Sequence, residues 1–290
     1  MNILLTGGSG FIGKNLKEYL EKKYTVFAPT HQELELTNKE KIAEFSEKNK
    51  IKIVIHAAGV GGHRKNRDEN ILENNLKMFF SIADNPVKFE KIIFLGSGAE
   101  YDKSKNIINA KEFEFGKNIP DDDYGFSKYI CSKYIEKSNN IINLRLFGVF
   151  GKYEDCETRF ISNIICRVLF DLPVQINQNM LLDYIFIEDL CEIVEYFIQN
   201  PPLYKFYNVS NGEHVDLFTI AEKIKEISWK NIEIEIKNPG MNNQYTCDNS
   251  LLKEELKNFK FTKIDEAIKK LYTWYFENKD KIKNKNFLID

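Results

Sequence analysis

Compact apolar runs alternate with amphipathic stretches through the first half of the chain. "NILLT" (2–6), "YTVFA" (24–28), "IKIVIHAAG" (51–59), "KIIFLGS" (91–97) and "IINLRLF" (141–147) are short and apolar, as strands buried on both faces are. Between them, residues 11–22, 38–49, 70–83 and 124–138 carry the pattern of helices, the second opened by Thr37 or Asn38. This alternation predicts an α/β fold, a doubly wound parallel sheet with helices on both faces. Such a sheet takes its ligand at the carboxyl ends of its strands. The second half is less regular. "VQI" (174–176) and "YNVS" (207–210) read as short strands, and 158–171, 187–199, 216–228 and 263–277 as helices.

One turn narrows the ligand. "LLTGGSGFIGKNL" sets Gly7, Gly10 and Gly13 between the first strand and the first helix. Glycine permits the tight turn and lets backbone approach a pyrophosphate, while the helix start offers free N–H groups to the anion. The bland reading is a turn that only packs helix on strand. Its position after a strand and before an amphipathic helix points instead to a dinucleotide. No Lys-Ser/Thr follows in P-loop fashion, which argues against ATP. The reading is therefore a Rossmann-type domain over 1–150, with parts of 183–210 returning to it. Residues 151–182 and 211–290 form a smaller C-terminal substrate-binding lobe. At the end of the second strand, "APTHQEL" brings its first carboxylate, Glu33, late, and His31 stands where a 2′-phosphate could be met. This favours NADP(H), with NAD(H) possible.

Composition removes several classes. Hydrophobic residues make up 43% of 290, enough for a sizeable core. A net charge of −2 gives no basic face for nucleic acid. The five cysteines (131, 156, 166, 191, 247) form no C-x-x-C and no ligand spacing with histidine, so no metal site is expected, and reduced thiols in a cytoplasm are. No run approaches the ~18 apolar residues of a membrane helix, and no signal peptide is read at the start.

Five Tyr-x-x-x-Lys spacings occur: Tyr19/Lys23, Tyr101/Lys105, Tyr124/Lys128, Tyr129/Lys133 and Tyr275/Lys279. The spacing alone selects none. Tyr124 has a partner that the others lack: Ser97 ends the 91–97 strand on the cofactor edge, and Tyr124 and Lys128 lie one helical turn apart. Ketone reduction needs a hydride at carbon and a proton at oxygen. A tyrosine beside an ammonium and an oxidised nicotinamide, both positive, can exchange that proton. A serine hydroxyl can hold the oxygen.

With these residues in place the chain resembles an extended short-chain dehydrogenase/reductase of the NAD-dependent epimerase/dehydratase family. The resemblance rests on "TGGSGFIG" (6–13), "HAAG" (56–59), "NNL" (74–76), "FLGSGAEY" (94–101), "YGFSK" (124–128), "LRLFGVFG" (144–151), "DYIFIEDL" (183–190) and "YNVSNGE" (207–213), in the family's order. It implies Ser97, Tyr124 and Lys128 as the catalytic set and demotes Tyr101 to packing. It further implies that Phe11 and Ile12 flank the pyrophosphate and that Leu36 lies near the adenine. Ala57, Ala58 and Gly59 would line the cofactor channel, Asn75 would face the site, and Phe147 would approach the nicotinamide. Ser97, Gly98 and Tyr124 would meet the substrate. A plain core role for Leu36, Ala57 and Phe147 is the alternative.

Departures from the pattern narrow the chemistry. Dehydratases of the family carry Asp-Glu after the serine position, where this chain has Gly98 and Ala99. The epimerase-reductases that make GDP-fucose carry a cysteine where Ala99 stands and a histidine near Arg159. What remains is redox at one carbon. The favoured reading is a ketoreductase of a nucleotide-linked 4-keto-6-deoxy sugar; the alternative is a 4-epimerase with tightly bound NAD. From other classes, a non-catalytic NADP-binding sensor or scaffold, and a reductase of a small apolar ketone, stay open. Arg159, Arg167 and Arg64 in "HRKNR" (63–67) are candidate contacts for a nucleoside-diphosphate sugar, against the reading that they only solvate a surface. Leu182 replaces a common phosphate-binding arginine, and Gly148 a common asparagine, which weakens that substrate class. The resemblance implies a homodimer through the helices of Asn75 and Tyr124.

Overall fold

Successive side chains of a strand point to opposite faces, so a run that is apolar throughout needs cover on both sides. The computed structural model, which describes residues 1–61 and 70–282, provides it. The first half runs β1 (Asn2–Thr6), α1 (Phe11–Leu20), β2 (Thr25–Phe27), α2 (Lys39–Lys48), β3 (Ile53–His56), α3 (Ile71–Ala83), β4 (Lys91–Ser97), β5 (Ile107–Ala110), α4 (Asp123–Ile135) and β6 (Ile141–Leu146). The remainder is β7 (Gly148–Phe150), α5 (Phe160–Leu169), β8 (Val174–Asn179), β9 (Leu181–Phe186), α6 (Ile187–Gln199), β10 (Phe206–Val209), β11 (His214–Asp216), α7 (Leu217–Ser228), β12 (Ile234–Met241), β13 (Tyr245–Cys247), α8 (Ser250–Leu256), α9 (Ile264–Glu277) and α10 (Lys279–Ile282).

The main sheet has six strands in the order β10-β6-β4-β3-β1-β2, every pair parallel. Alternation sorts its side chains into two cores. Ile3, Leu5, Ile53, Ile55, Ile93 and Leu95 face one side, with Leu16 and Leu20 of α1 and residues of α6. Leu4, Val54, Ile92 and Phe94 face the other, with Ile42 of α2, Phe79 of α3 and Cys131 of α4. Each fully buried aliphatic side chain of this kind contributes about 1.5–3 kcal/mol. Asn38 caps α2 by accepting from Lys41 N–H, and Asp122 caps α4 by accepting from Gly125 N–H.

A second sheet, β11-β9-β13-β5 with β7 against β9, lies beyond the carboxyl ends of the main strands. A parallel pair, β12-β8, stands apart. β10 returns to the main sheet beside β6, after the chain has passed through α5 and β8. The expected strand at 174–176 extends to Asn179. Helix 124–138 begins at Asp123 and ends at Ile135, with Lys137 and Ser138 in a turn closed by N–H bonds to Tyr134 and Ile135 carbonyls.

Candidate active site

The glycine turn is built for close backbone approach. Gly7 has φ +70°, and a Cβ there would stand 2.7 Å from the Ala58 nitrogen. A Cβ at Gly13 would stand 2.0 Å from the Gly7 carbonyl oxygen, so α1 can sit this near β1 only through glycine. Gly10 opens α1 with no side-chain cap, and its N–H closes on Gly7 at 3.0 Å. The N–H groups of the first turn, at half-buried Phe11 and Ile12, therefore point outward with the positive end of the helix dipole. Ala57, Ala58 and Gly59 follow β3 alongside this turn, with Ala58 N–H on Thr6 Oγ1 at 3.2 Å. The cradle fits a dinucleotide pyrophosphate. A cavity of about 290 Å³ opens beside it, lined in part by Ser9, Gly10, Phe11, Tyr153 and Trp274. A larger hollow of about 690 Å³ around Trp229 contains none of these groups.

At the end of β2 the side chains turn inward. Glu33 accepts Thr30 N–H at 2.7 Å and Thr30 Oγ1 at 2.9 Å. Glu35 accepts Thr37 N–H at 2.9 Å. Both carboxylates are held below their ordinary range, mainly by these backbone bonds. His31 is exposed at the tip, but its Nε2 lies 3.2 Å from Glu35, a partner the sequence did not suggest. Leu36 packs against the second core beneath the loop.

Ser97, Tyr124 and Lys128 meet at the carboxyl end of β4. Ser97 caps the short turn Gly98–Tyr101: its Oγ accepts Ala99 N–H at 3.1 Å, and its own N–H donates to Glu100 Oε1 at 3.1 Å. Tyr124 stands in the first turn of α4, half-buried, and its hydroxyl makes no hydrogen bond among the described residues. One turn on, Lys128 is buried, with its ammonium 5.9 Å from the Tyr124 ring centroid. It donates to the Leu95 carbonyl at 2.9 Å, which fixes it against the sheet. His56 sits behind, bonded to Thr6 Oγ1 at 2.8 Å; burial first, then the Lys128 charge, pushes it down to about 3, so it stays neutral.

Several expected contacts are placed differently. Asn75 is buried, and its amide is spent: Oδ1 accepts Val60 N–H at 2.7 Å, while Nδ2 donates to the Val60 carbonyl and to Ser127 Oγ. It clasps the post-β3 loop to α4 instead of offering hydrogen bonds to a ligand. Phe147 is 3% exposed, stacked among Tyr101, Ile107 and Tyr245, because aromatic neighbours from both sheets close over it. Gly98 faces Tyr245 and Phe147, leaving no open space for a substrate on its side-chain face. Arg167 is 3% exposed and donates to Asn163 Oδ1 and the Pro173 carbonyl; it holds α5 to the next strand and does not face a cleft. Arg159 is exposed at the start of α5, where a phosphate could reach it. Arg64 lies outside the described residues. Tyr101 is buried, donating to Asn208 Oδ1 at 2.8 Å, a packing residue with a satisfied hydroxyl.

Sequence reasoning missed three groups. Glu100 and Arg145, 0% and 1% exposed, pair at 2.6 Å beneath the Ser97 turn. Glu100 also accepts from Ser132 and Asn143. Tyr245 reaches the site from β13. Lys103, exposed on the loop after the Gly98–Tyr101 turn, holds its ammonium 5.3 Å from the Tyr245 ring; desolvation first, then Arg159, lowers its affinity for a proton. An arginine inside the apolar run "IINLRLF" and a glutamate just after "KIIFLGS" were a signal available in Arg145 and Glu100. Nothing near Tyr245 in the sequence marked it.

A nucleotide cradle at one end of a parallel sheet, with a serine, a tyrosine and a lysine converging beside it, defines a dinucleotide-dependent enzyme of the Rossmann type. The profile of the NAD-dependent epimerase/dehydratase family matches residues 3–210, and the chain belongs to that family. It is 26% identical over 259 residues to GDP-L-colitose synthase of Yersinia pseudotuberculosis, covering 79% of this chain and 81% of that one. It is 28% identical over 260 residues to dTDP-4-dehydro-6-deoxyglucose reductase of Escherichia coli, covering 77% and 80%. Among solved structures, the GDP-mannoheptose C4 reductase of Campylobacter jejuni with NADP bound superposes with TM-score 0.79 at 21% identity, covering 94% of this chain and 98% of that one. The UDP-glucose 4-epimerase of Thermotoga maritima gives TM-score 0.79 at 20% identity, covering 96% and 99%. Among the described residues no helix is long and apolar enough to cross a membrane, and no cluster of potential metal ligands occurs.

Proposed function

We propose that this protein is an NAD(P)H-dependent ketoreductase acting on a nucleotide-linked 4-keto-6-deoxy sugar. The observation that carries the reading is the Tyr124 hydroxyl, unpartnered among the described residues, one turn from a buried, sheet-anchored Lys128 and beside Ser97, with no acid or base at positions 98 and 99. In this reading Gly7, Gly10, Phe11, Ile12 and Gly13 hold the cofactor's pyrophosphate, and Ala57, Ala58 and Gly59 flank it. The nicotinamide, when bound, supplies the hydride. Ser97 holds the carbonyl oxygen by hydrogen bond, and Tyr124 donates the proton that makes it a hydroxyl. The Lys128 ammonium stabilises the phenolate left behind. Without a carboxylate pair after Ser97, water elimination has no acid and base; without a cysteine at Ala99, neither does epimerisation beside the ketone.

The reductase names among the relatives support this choice. Commitment of Glu33 and Glu35 to their own turn supports NADP(H), since neither carboxylate is presented to a 2′-phosphate, and His31 is the exposed group there. Arg159 and Lys103 are the cations placed for a substrate phosphate, in the absence of arginine at Leu182. Pairing of two copies through α3 and α4 belongs to the same reading; the half-buried Leu72, Met78, Phe126 and Ile130 on these helices support it.

The test offers 4-keto-6-deoxy sugars on dTDP, CDP, GDP and UDP with NADPH or NADH, following loss of reduced cofactor. One nucleotide should support stoichiometric oxidation. Tyr124→Phe should lose at least about a hundredfold in kcat. Unchanged turnover in Tyr124→Phe would remove the mechanism.

A further inference from the structure

Lys14 stands one turn into α1, beside the glycine turn. Its N–H closes on the Gly10 carbonyl at 2.8 Å, and side chains on a helix lean toward its start. It lines the cavity of about 290 Å³ together with Ser9, Gly10 and Phe11. Its ammonium lies 3.7 Å from the centroid of the Tyr153 ring. Glu18, four residues on, is the ion-pair partner a helix would give it. That carboxylate is taken from the other side: Lys152 donates to it at 2.7 Å and the Tyr153 hydroxyl at 2.8 Å. Lys14 keeps an aromatic face and no ion pair among the described residues. The acid that lines the cavity, Glu154, brings no charge at neutral pH, because burial pushes its carboxyl up to about 8. A cation and the positive end of a helix dipole therefore share this cavity with no ionised acid on its wall.

The platform under Lys14 is strained. Tyr153 has φ +72°, a left-handed conformation that a bulky residue rarely adopts. Asn15 Nδ2 donates to the Lys152 carbonyl at 2.9 Å, and Trp274 stands edge-on to the Tyr153 ring at 5.4 Å, so both neighbours hold it in place. We propose that Lys14 is a cofactor-binding residue, held on the Tyr153 ring to meet the charge of a dinucleotide's pyrophosphate; this rests on the dinucleotide reading of the glycine turn. The N–H groups of Phe11 and Ile12 bring only partial charge to a dianion. Lys14 supplies the whole charge that the turn lacks. Contact with a ring is weaker than a charge-assisted bond to phosphate, so the ammonium exchanges one for the other. Tyr153 keeps the lysine within reach without neutralising it, as a carboxylate would.

Calorimetric titration of NADPH and NADH into the wild type, Lys14→Met and Lys14→Arg, at low and raised salt, tests this without turnover. Lys14 is exposed, so its variants should fold. Lys14→Met should raise Kd about tenfold, by the same factor for both dinucleotides, since both carry the pyrophosphate. Lys14→Arg keeps a charge that stacks on tyrosine and should recover most of the affinity. Added salt should weaken the wild type more steeply than Lys14→Met. Parallel salt dependence would show that the lysine only shapes the loop, and would overturn the proposal. Equal Kd in wild type and Lys14→Met would overturn it too, as would a loss confined to NADPH, which would move the lysine to the 2′-phosphate. A wild type that binds neither dinucleotide would remove the cofactor reading itself, and this proposal with it.

Discussion

Glu154 shows what burial does to a single carboxyl. It sits under α5, with Ser162 Oγ donating to it at 2.5 Å, and burial pushes it from an ordinary 4.5 up to about 8. The folded protein holds it neutral, whereas the unfolded chain ionises it from about pH 4.5 upward. Its contribution to stability is therefore complete below 4.5 and is lost progressively as pH rises to about 8, at about 1.4 kcal/mol per pH unit. Glu154→Gln keeps the shape and removes the titration. Unfolding in urea at pH 5 and pH 8 should show the variant gaining on the wild type at pH 8; a constant offset would contradict the assignment. At this scale the sequence marked candidate residues whose placement depends on local order. Ser97, Tyr124 and Lys128 were legible because a strand end and one helical turn fix their spacing. Tyr245 was not, since its neighbours Gly98 and Phe147 are brought to it only by the pairing of β13 with β5 and β9.

Among the elements, the Gly98–Tyr101 turn has the most buried support. Glu100 accepts the Ser97 N–H, the Ser132 hydroxyl at 2.5 Å and the Arg145 guanidinium at 2.6 Å, all away from water. Removing one partner leaves a buried charge unpaired. Glu100→Gln should destabilise the protein by about 3–5 kcal/mol, measured by urea unfolding, and lower kcat by loosening the cap on Ser97. A variant with wild-type stability would show that the Glu100–Arg145 pair is dispensable. The regular helices were legible to within a few residues because their apolar faces repeat over several turns. The strands β5, β7, β11 and β13 were not. Each has three or four residues, too few to show a period, and their partners lie far along the chain. β12 is longer but almost wholly exposed, so it carries no apolar signal.

Over the whole molecule, polar bonds tie the strands of the second sheet together and join it to the main sheet. Asp183 of β9 bonds His214 of β11 and accepts Cys247 N–H of β13 at 2.8 Å. Asn208 of β10 donates to the Ala110 carbonyl of β5 at 2.8 Å. These bonds bring Tyr245 and Lys103 near the candidate site, which was half legible: one edge follows from strand–helix alternation, while the other depends on contacts between the two sheets. Arg167 illustrates the difference. Its charge suggested a phosphate, and the fold spends it on Asn163 and Pro173.

The central claim is one net reduction at one carbon. NADPH deuterated on the transferred face should be incubated with the nucleotide-linked 4-keto-6-deoxy sugar that supports turnover, and the product analysed by mass spectrometry and NMR. The account predicts one deuterium at the former ketone carbon and one cofactor oxidised per sugar. A C4-inverted product formed from an ordinary nucleotide hexose, with no net oxidation of cofactor, would contradict it and make the protein a 4-epimerase.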